Sequence, residues 1–344
     1  MTVLLLFSFG CATRLSRPDT DDAAANAERL EQLKLSLSLL LERQVRTWKV
    51  GNKLRREAAD LCEDDVRYTF GFFAVDRKTF SKEYQDVADD IGLGPDVRIW
   101  DVLPDFQSPE LELKKKDTIV EIDLNPISDF KSFEKAMKYP FKTGVLNIKL
   151  IRESGERVSG WLKGVSACDY RAAVAMSDMI NAYADGKNVI ITTGMLRFTE
   201  SDDELALVLG HEFAHNVLGH MNQKRVQSAA GLLLDLAVTV FTGVNTGGLF
   251  SSLGGNMFST EFEADSDYMG LYIAARAGYD IKIAPEFWRR MAVEHPASIG
   301  KHYLATHPST PERSAALKES IEEIENKIKE EKPLTPEYKS NKSN

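Results

Sequence analysis

Cysteine, histidine and long apolar runs are all scarce in this chain. There are 3 cysteines and 6 histidines in 344 residues, and no two cysteines stand at the short spacing of a zinc ribbon or finger. That excludes a cysteine-built metal site and a disulfide-dense scaffold. No stretch reads as membrane-spanning: the opening run Val3 to Gly10 is too short, and the apolar segment Ala229 to Phe258 is broken by Asp235 and by Gly254-Gly255. Internal repeats, a phosphate-binding glycine loop and a serine or cysteine nucleophile motif are likewise missing from the sequence. The net charge of −9 lacks the clustered basic surface that nucleic-acid binding requires. What is present is 43% hydrophobic and 28% charged residues, the balance of a globular chain of two or three domains.

The most informative stretch is His211-Glu212-Phe213-Ala214-His215. Residues four apart lie on one helical face, so His211 and His215 can offer imidazole nitrogens to a single ion while Glu212 sits beside the same opening. Ser201-Asp202-Asp203-Glu204 reads as a capping box with an acidic first turn. Leu205, Val208, Leu209, Val217 and Leu218 give the helix an apolar stripe, which predicts burial. A catalytic zinc wants a third protein ligand and an open position. The downstream helical run Glu261-Phe262-Glu263-Ala264-Asp265 supplies carboxylates. On our reading Glu261 is the third ligand, Asp265, one turn on, fixes a histidine tautomer from behind, and Glu263 points elsewhere. A third histidine is out of register, because Leu218 occupies the glycine position of H-E-x-x-H-x-x-G-x-x-H and His220 falls one residue early. We expect His220 to be structural, ending the motif helix.

From Asn181 onward the chain resembles the HtpX/BepA-like zinc metallopeptidases, relatives of the CAAX prenyl endopeptidase within the gluzincin group. The resemblance rests on Asn181 to Gly186, Ile191 to Leu196, Asp203 to Ala206 leading into the histidine helix, Glu261 to Asp265, and Thr306-His307-Pro308 with Arg313. It implies an endopeptidase with one zinc, ligands His211, His215 and Glu261, and Glu212 as general base and then acid. It also puts His307 near the metal, as a stabiliser of the tetrahedral intermediate or as an occupant of the water position; a helix-capping turn is the other reading. Asn181 to Asp185 suggests an edge strand that pairs with an extended substrate, unless it is an ordinary sheet edge.

The fold class expected is α+β: a mainly helical gluzincin domain with a small sheet, over 165–332, plus a β-rich domain over 96–164. The β runs Val97 to Val102, Thr118 to Leu124, Val145 to Ile151 and Arg157 to Leu162, with one helix near Phe130 to Met137, resemble the PDZ domains attached to bacterial proteases, although Glu112 and Lys116 stand where glycines are common. Residues 19–95 read as a helical region packing on the protease, with Leu30, Leu33, Leu37, Leu40 and Leu41 as its stripe. Residues 1–18 resemble a signal segment ending in a lipoprotein site at Cys11, and 333–344 read as a disordered tail. Cys62 and Cys168 are either a disulfide joining the N-terminal region to the protease or two buried thiols. The segment 229–258 is a candidate lid or membrane-touching surface, set against ordinary core. These features together predict an exported enzyme on the periplasmic side of a bacterial envelope, tethered by lipid on Cys11, with protein or peptide substrates. The rival functions are a chaperone-like assembly factor and a peptide-binding lipoprotein scaffold.

Overall fold

The computed structural model describes residues 20–62, 65–106, 110–220, 260–294, 307 and 311–338. Cys11, the segment 229–258, His295 and His302 lie outside the described residues. Helix α1 (Asp22–Glu57) is capped by Asp21, whose carboxylate accepts the Ala24 N–H at 2.6 Å. Its 36 residues span about 54 Å at 1.5 Å per residue. That length lets one helix serve two cores. Leu37, Leu40 and Leu41 pack with Val75, Phe80, Val87 and Leu93, while Val50 and Leu54 join the main core around Leu205, Leu209 and Tyr272.

After α1 come strands β1 (Val66–Thr69) and β2 (Phe72–Val75). Beyond the short helix α2 (Lys82–Gln85), an antiparallel sheet runs in the order β2, β3 (Arg98–Val102), β4 (Thr118–Ile122), β6 (Val145–Ile151) and β7 (Arg157–Lys163), with β5 (Asn125–Pro126) on β4. The β6–β7 register pairs Val145 with Lys163 and Ile151 with Arg157. Its alternation buries Leu146, Ile148 and Leu150 against Ile99, Ile119 and Phe133. Phe133 comes from α3 (Phe130–Met137), which starts with a capping box between Asp129 and Ser132; α4 (Pro140–Thr143) follows. The sheet thus reaches back to Phe72, into the segment read from sequence as helical. Four residues of β2 were too short a run to register as a strand beside the long leucine pattern of α1. Lys116 has φ +71°, a left-handed position that glycine fills without strain.

The remaining elements form the second unit. Strand β8 (Val165–Cys168) pairs with β1, Val66 opposite Cys168. A disulfide joins Cys62 to Cys168, with Cα atoms 5.7 Å apart, so of the two readings of that pair the bridge is the one realised. A three-stranded sheet follows in the order β10 (Ala182–Ala184), β11 (Asn188–Thr192), β9 (Arg171–Ala175), with β11 parallel to β9 and antiparallel to β10. Helices α5 (Thr193–Phe198), α6 (Asp202–Val217), α7 (Thr260–Arg276), α8 (Ala284–Glu294) and α9 (Pro311–Lys329) surround it. The fold is therefore mixed helix and sheet. No described helix is long and apolar enough to cross a membrane.

Candidate metal centre

Helix α6 is held at both ends of its first turn. The Ser201 hydroxyl accepts the Glu204 N–H at 3.2 Å, as the capping pattern predicts, but the Glu204 carboxylate accepts from Glu200 N at 2.7 Å and pairs with Arg290 at 2.7 Å. Arg46 reaches across from α1 to Asp202 and to the carbonyl oxygens of Thr199 and Ser201. Nearly every residue from Glu204 to Asn216 is buried, so the helix is enclosed on all sides rather than along one stripe. Its partner is α7, and the two backbones touch. A Cβ on Gly270 would lie 2.8 Å from His211 N, and one on Gly210 would lie 2.9 Å from the Gly270 oxygen. Only glycines permit that approach, and it brings the α7 carboxylates to the imidazoles.

His211, His215, Glu263 and His307 each offer one donor atom, all within 4.8 Å of one another. His211 Nε2 is 3.2 Å from His215 Nε2 and 3.3 Å from His307 Nδ1. Both α6 imidazoles lie 3.4 Å from a Glu263 oxygen, and His307 Nδ1 lies 2.9 Å from Glu263 Oε1. A tetrahedral zinc with bonds of about 2.0–2.1 Å has ligand-to-ligand edges of about 3.3 Å. The distances and the three-imidazole, one-carboxylate donor set both fit that ion. Glu212, 2% exposed, leaves its Oε2 without a hydrogen-bond partner among the described residues, and His307 Nε2 stands 3.4 Å from its Oε1. A buried carboxylate oxygen left without a partner is costly unless something not in the protein satisfies it.

The third position is a correction to the sequence reading. Glu261 and Asp265 are exposed on α7, whereas Glu263 and Asp267 are buried. The spacing E-x-x-x-D occurs twice in overlap, at Glu261 with Asp265 and at Glu263 with Asp267. Two residues turn an α-helix by about 200°, so choosing the wrong copy selects the opposite face. The signal that decides is Gly270, which shares a face with Glu263, two turns earlier, and with Asp267, and which must meet α6. Asp267 takes the place expected for Asp265: its Oδ1 stands 3.0 Å from His211 Nδ1, in ion-pair contact but without the alignment of a hydrogen bond. Arg313, noted in the sequence without a role, grips Asp267 in bidentate fashion at 2.7 and 2.8 Å and reaches Glu263 Oε2 at 3.0 Å.

His220, expected only to end the helix, orients the second imidazole. Its Nδ1 is 3.1 Å from His215 Nδ1 and 3.3 Å from Ser266 Oγ, and its ring stacks on Phe262 with centroids 4.2 Å apart. His307 is brought to the donor cluster, 96 residues from His211. Electrostatically the centre is polarised. Burial works against a charged His211, yet the carboxylates of Asp267 and Glu263 hold its pKa up at about 10. Burial drives His215 well below the ordinary histidine value. Burial also opposes a charged Glu263, but His307, His211 and His215 keep its carboxyl well below the usual range. Tyr183, on β10, is pushed up to about 12 by burial, with the charge of Glu212 adding to it.

Residues 150–321 match peptidase family M48. Over 189 residues the chain is 30% identical to the mitochondrial metalloendopeptidase OMA1 of Arabidopsis thaliana, a match covering 53% of this chain and 38% of that protein. The human mitochondrial metalloendopeptidase OMA1 is 31% identical over 168 residues, 42% of this chain and 31% of its own. A β-barrel assembly-enhancing protease of Yersinia pestis is 29% identical over 147 residues, 38% of this chain and 30% of its own. The chain thus spans less than two fifths of the length of each of these relatives.

Proposed function

The chain belongs to peptidase family M48, and from that premise we propose that it is a zinc-dependent endopeptidase with His211, His215 and Glu263 as metal ligands and Glu212 as general base. The observation that carries this reading is the donor cluster with edges of 3.2–3.4 Å among its α6 and α7 members, next to a buried Glu212 oxygen that has no hydrogen-bond partner among the described residues. Bound zinc supplies a Lewis acid for the scissile carbonyl and lowers the pKa of water in the site. Glu212, 2% exposed and beside the donor cluster, takes the proton from the attacking water and returns it to the leaving amine. Asp267, 3.0 Å from His211 Nδ1, favours the imidazole orientation that presents Nε2 inward, and Arg313 holds Asp267. Strand β10 ends the strand order of its sheet, and an extended substrate backbone would run along it.

His307 completes a four-donor set, and four protein ligands leave no position for water. We read the arrangement as a resting one, in which His307 leaves the cluster before turnover and its Nε2, beside Glu212, is then free to steady the tetrahedral intermediate. The biological setting we propose is protein quality control in a bacterial envelope. The Cys62–Cys168 disulfide supports an oxidising compartment, and the likeness to a protease named for β-barrel assembly supports that task. Lipid on Cys11 and a PDZ-like identity for the six-stranded unit belong to the same proposal. The deciding experiment measures zinc content and casein cleavage for the protein and its Glu212→Gln variant. The variant should keep its zinc and lose turnover by a factor of roughly 10² to 10⁴. Equal cleavage by both would leave the chaperone-like reading in its place.

A further inference from the structure

Between β1 and β8 the large apolar side chains left exposed are Tyr68, Leu124, Tyr139, Val145, Trp161 and Val165. They gather at one end of the six-stranded sheet. Val145 opens β6 opposite Lys163 on β7, the Gly164 N–H donates to the Gly144 carbonyl at 2.8 Å, and Trp161 lies opposite Asn147. Tyr68 covers both glycines, since a Cβ on either would lie 2.8 Å from its side chain. That sets its ring beside Val145 and Val165. Tyr139 precedes α4, which leads into Val145. Leu124 sits at the tip of the β4–β5 hairpin, where the Asp123 N–H donates to the Asn147 carbonyl at 3.0 Å, so the tip is one strand away from Trp161. Toward the other end of the sheet the exposed side chains are charged and paired, Lys149 with Glu121 and Lys116 with Glu153.

Leu124 is the residue the fold does least to explain. It is 86% exposed and has φ +65°, after Asp123 at φ +43°, the two-residue turn whose second position glycine fills without strain. A leucine there carries left-handed strain and gains no burial; an apolar phase outside the protein supplies the burial. Trp and Tyr, the aromatic members of the patch, have the amphipathic rings of a membrane interface. The charges around them have one sign in excess. Lys138 and Lys142 flank Tyr139, Lys163 faces Val145, and none of the three is in an ion pair among the described residues. Of the nearby carboxylates, Asp123 is held by the backbone and side-chain nitrogens of Asn147 at 3.2 and 2.8 Å, Glu134 on α3 acts on Arg171, and Asp65 accepts from the Tyr170 hydroxyl at 3.0 Å. A chain of net charge −9 is repelled as a whole by an anionic surface, so it approaches one only through a basic face. A second copy fits less well, because a two-fold contact would set these lysines against themselves.

We propose that this end of the β unit docks on an anionic phospholipid surface, with Leu124, Tyr139 and Trp161 at the headgroup boundary and Lys138, Lys142 and Lys163 on lipid phosphates. The contact uses none of the metal-centre residues and needs no lipid on Cys11. To test it, the full chain carrying Cys11→Ser, so that no lipid is attached, is sedimented with vesicles of phosphatidylcholine containing about one third phosphatidylglycerol, and with vesicles of phosphatidylcholine alone. Binding should be roughly tenfold or more tighter to the anionic vesicles and should weaken with salt. Leu124→Asp should weaken it by roughly tenfold, as loss of one buried apolar side chain does; aspartate tolerates the left-handed turn, so the fold is kept. Lys138→Glu with Lys142→Glu should weaken it by roughly tenfold or more. Trp161→Phe should keep binding and abolish the blue shift of tryptophan emission on adding vesicles. Equal binding by the parent and both weakened variants overturns the proposal, because attachment then comes from elsewhere in the chain. So do equal binding to both kinds of vesicle, a blue shift that survives Trp161→Phe, and a dimer in sedimentation velocity that Leu124→Asp abolishes. Zinc content and casein cleavage are read on the same samples, so loss of this surface leaves the peptidase reading intact.

Discussion

Replacing Glu263 by Gln should strip the protein of zinc, whereas replacing Glu261 by Gln should leave its metal affinity within about threefold, because an exposed side chain away from the cluster contributes little. The two residues sit in the same turn of α7, but Glu263 is fully buried at 3.4 Å from both α6 imidazoles while Glu261 faces solvent. The apparent binding free energy of a four-ligand structural zinc site is about 10–16 kcal/mol. Divided evenly, that is about 2.5–4 kcal/mol per ligand, or roughly two to three powers of ten in affinity. Gln keeps the volume and one acceptor oxygen for Arg313, which otherwise loses its partner at 3.0 Å, so the substitution tests coordination more than packing. The same logic separates the second pair: Asp267→Asn should cost roughly 10–100-fold through His211, and Asp265→Asn almost nothing. Zinc affinity is measured by competition with a chromogenic chelator, alongside thermal unfolding to confirm that each variant folds. Retention of zinc by Glu263→Gln together with its loss from Glu261→Gln would refute the assignment and restore the other face of the helix.

Zinc binding should release close to one proton per site at pH 7 to 9. In the metal-free protein His211 is held up at about 10, so it carries a proton there, while His215 is already neutral and Glu263 already ionised. Affinity should therefore rise about tenfold per pH unit up to the His211 pKa and level off above it; calorimetry in buffers of different ionisation enthalpy checks the proton count. Reducing the Cys62–Cys168 bridge frees a loop of sequence separation 106, and the chain-entropy estimate for such a loop is a loss of about 4.7 kcal/mol. Urea unfolding with and without reductant reads this directly, and unchanged midpoints would contradict it. Lys116→Gly should stabilise the protein by about 1 kcal/mol, since a lysine at φ +71° carries the Cβ–carbonyl strain of the left-handed region, which glycine lacks. Gly270→Ala should destabilise by about 1–3 kcal/mol and weaken zinc binding as well, because the new methyl meets His211 N at 2.8 Å and must push α7 off α6.

The parts of the site that one helix carries were legible in the sequence, and those that depend on how two helices face each other were not. His211, Glu212 and His215 have a spacing that is meaningful on any α-helix, and the structure puts all three together without exception to that pattern. Glu263 and Asp267 share their spacing with Glu261 and Asp265, so the motif was recognisable while its rotation was not. Rotation is set by what α7 must avoid as much as by what it must reach. A backbone contact at Gly210 and Gly270 admits one orientation of the helix, and that orientation turns the buried carboxylates toward the histidines. The sequence holds the glycines, but a glycine inside a helix reads as a weakness until its neighbour is known.

The β unit illustrates the complementary case. Long alternating strands such as Val145–Ile151 and Arg157–Lys163 declared themselves through period-two burial. Phe72–Val75 did not, since four consecutive apolar residues fit strand, helix end and loop alike. Yet this short strand places a sheet edge against α1, and a cleft beside it is lined by residues from both units. Arg55 comes from a helix whose leucines suggested only packing, and Arg171 from a strand that pairs into a different sheet. Each arginine alone reads as a solvated surface charge. Arg55 and Arg67 are near each other in the chain and Arg171 is more than a hundred residues on, so their meeting at one opening becomes visible only in the folded chain.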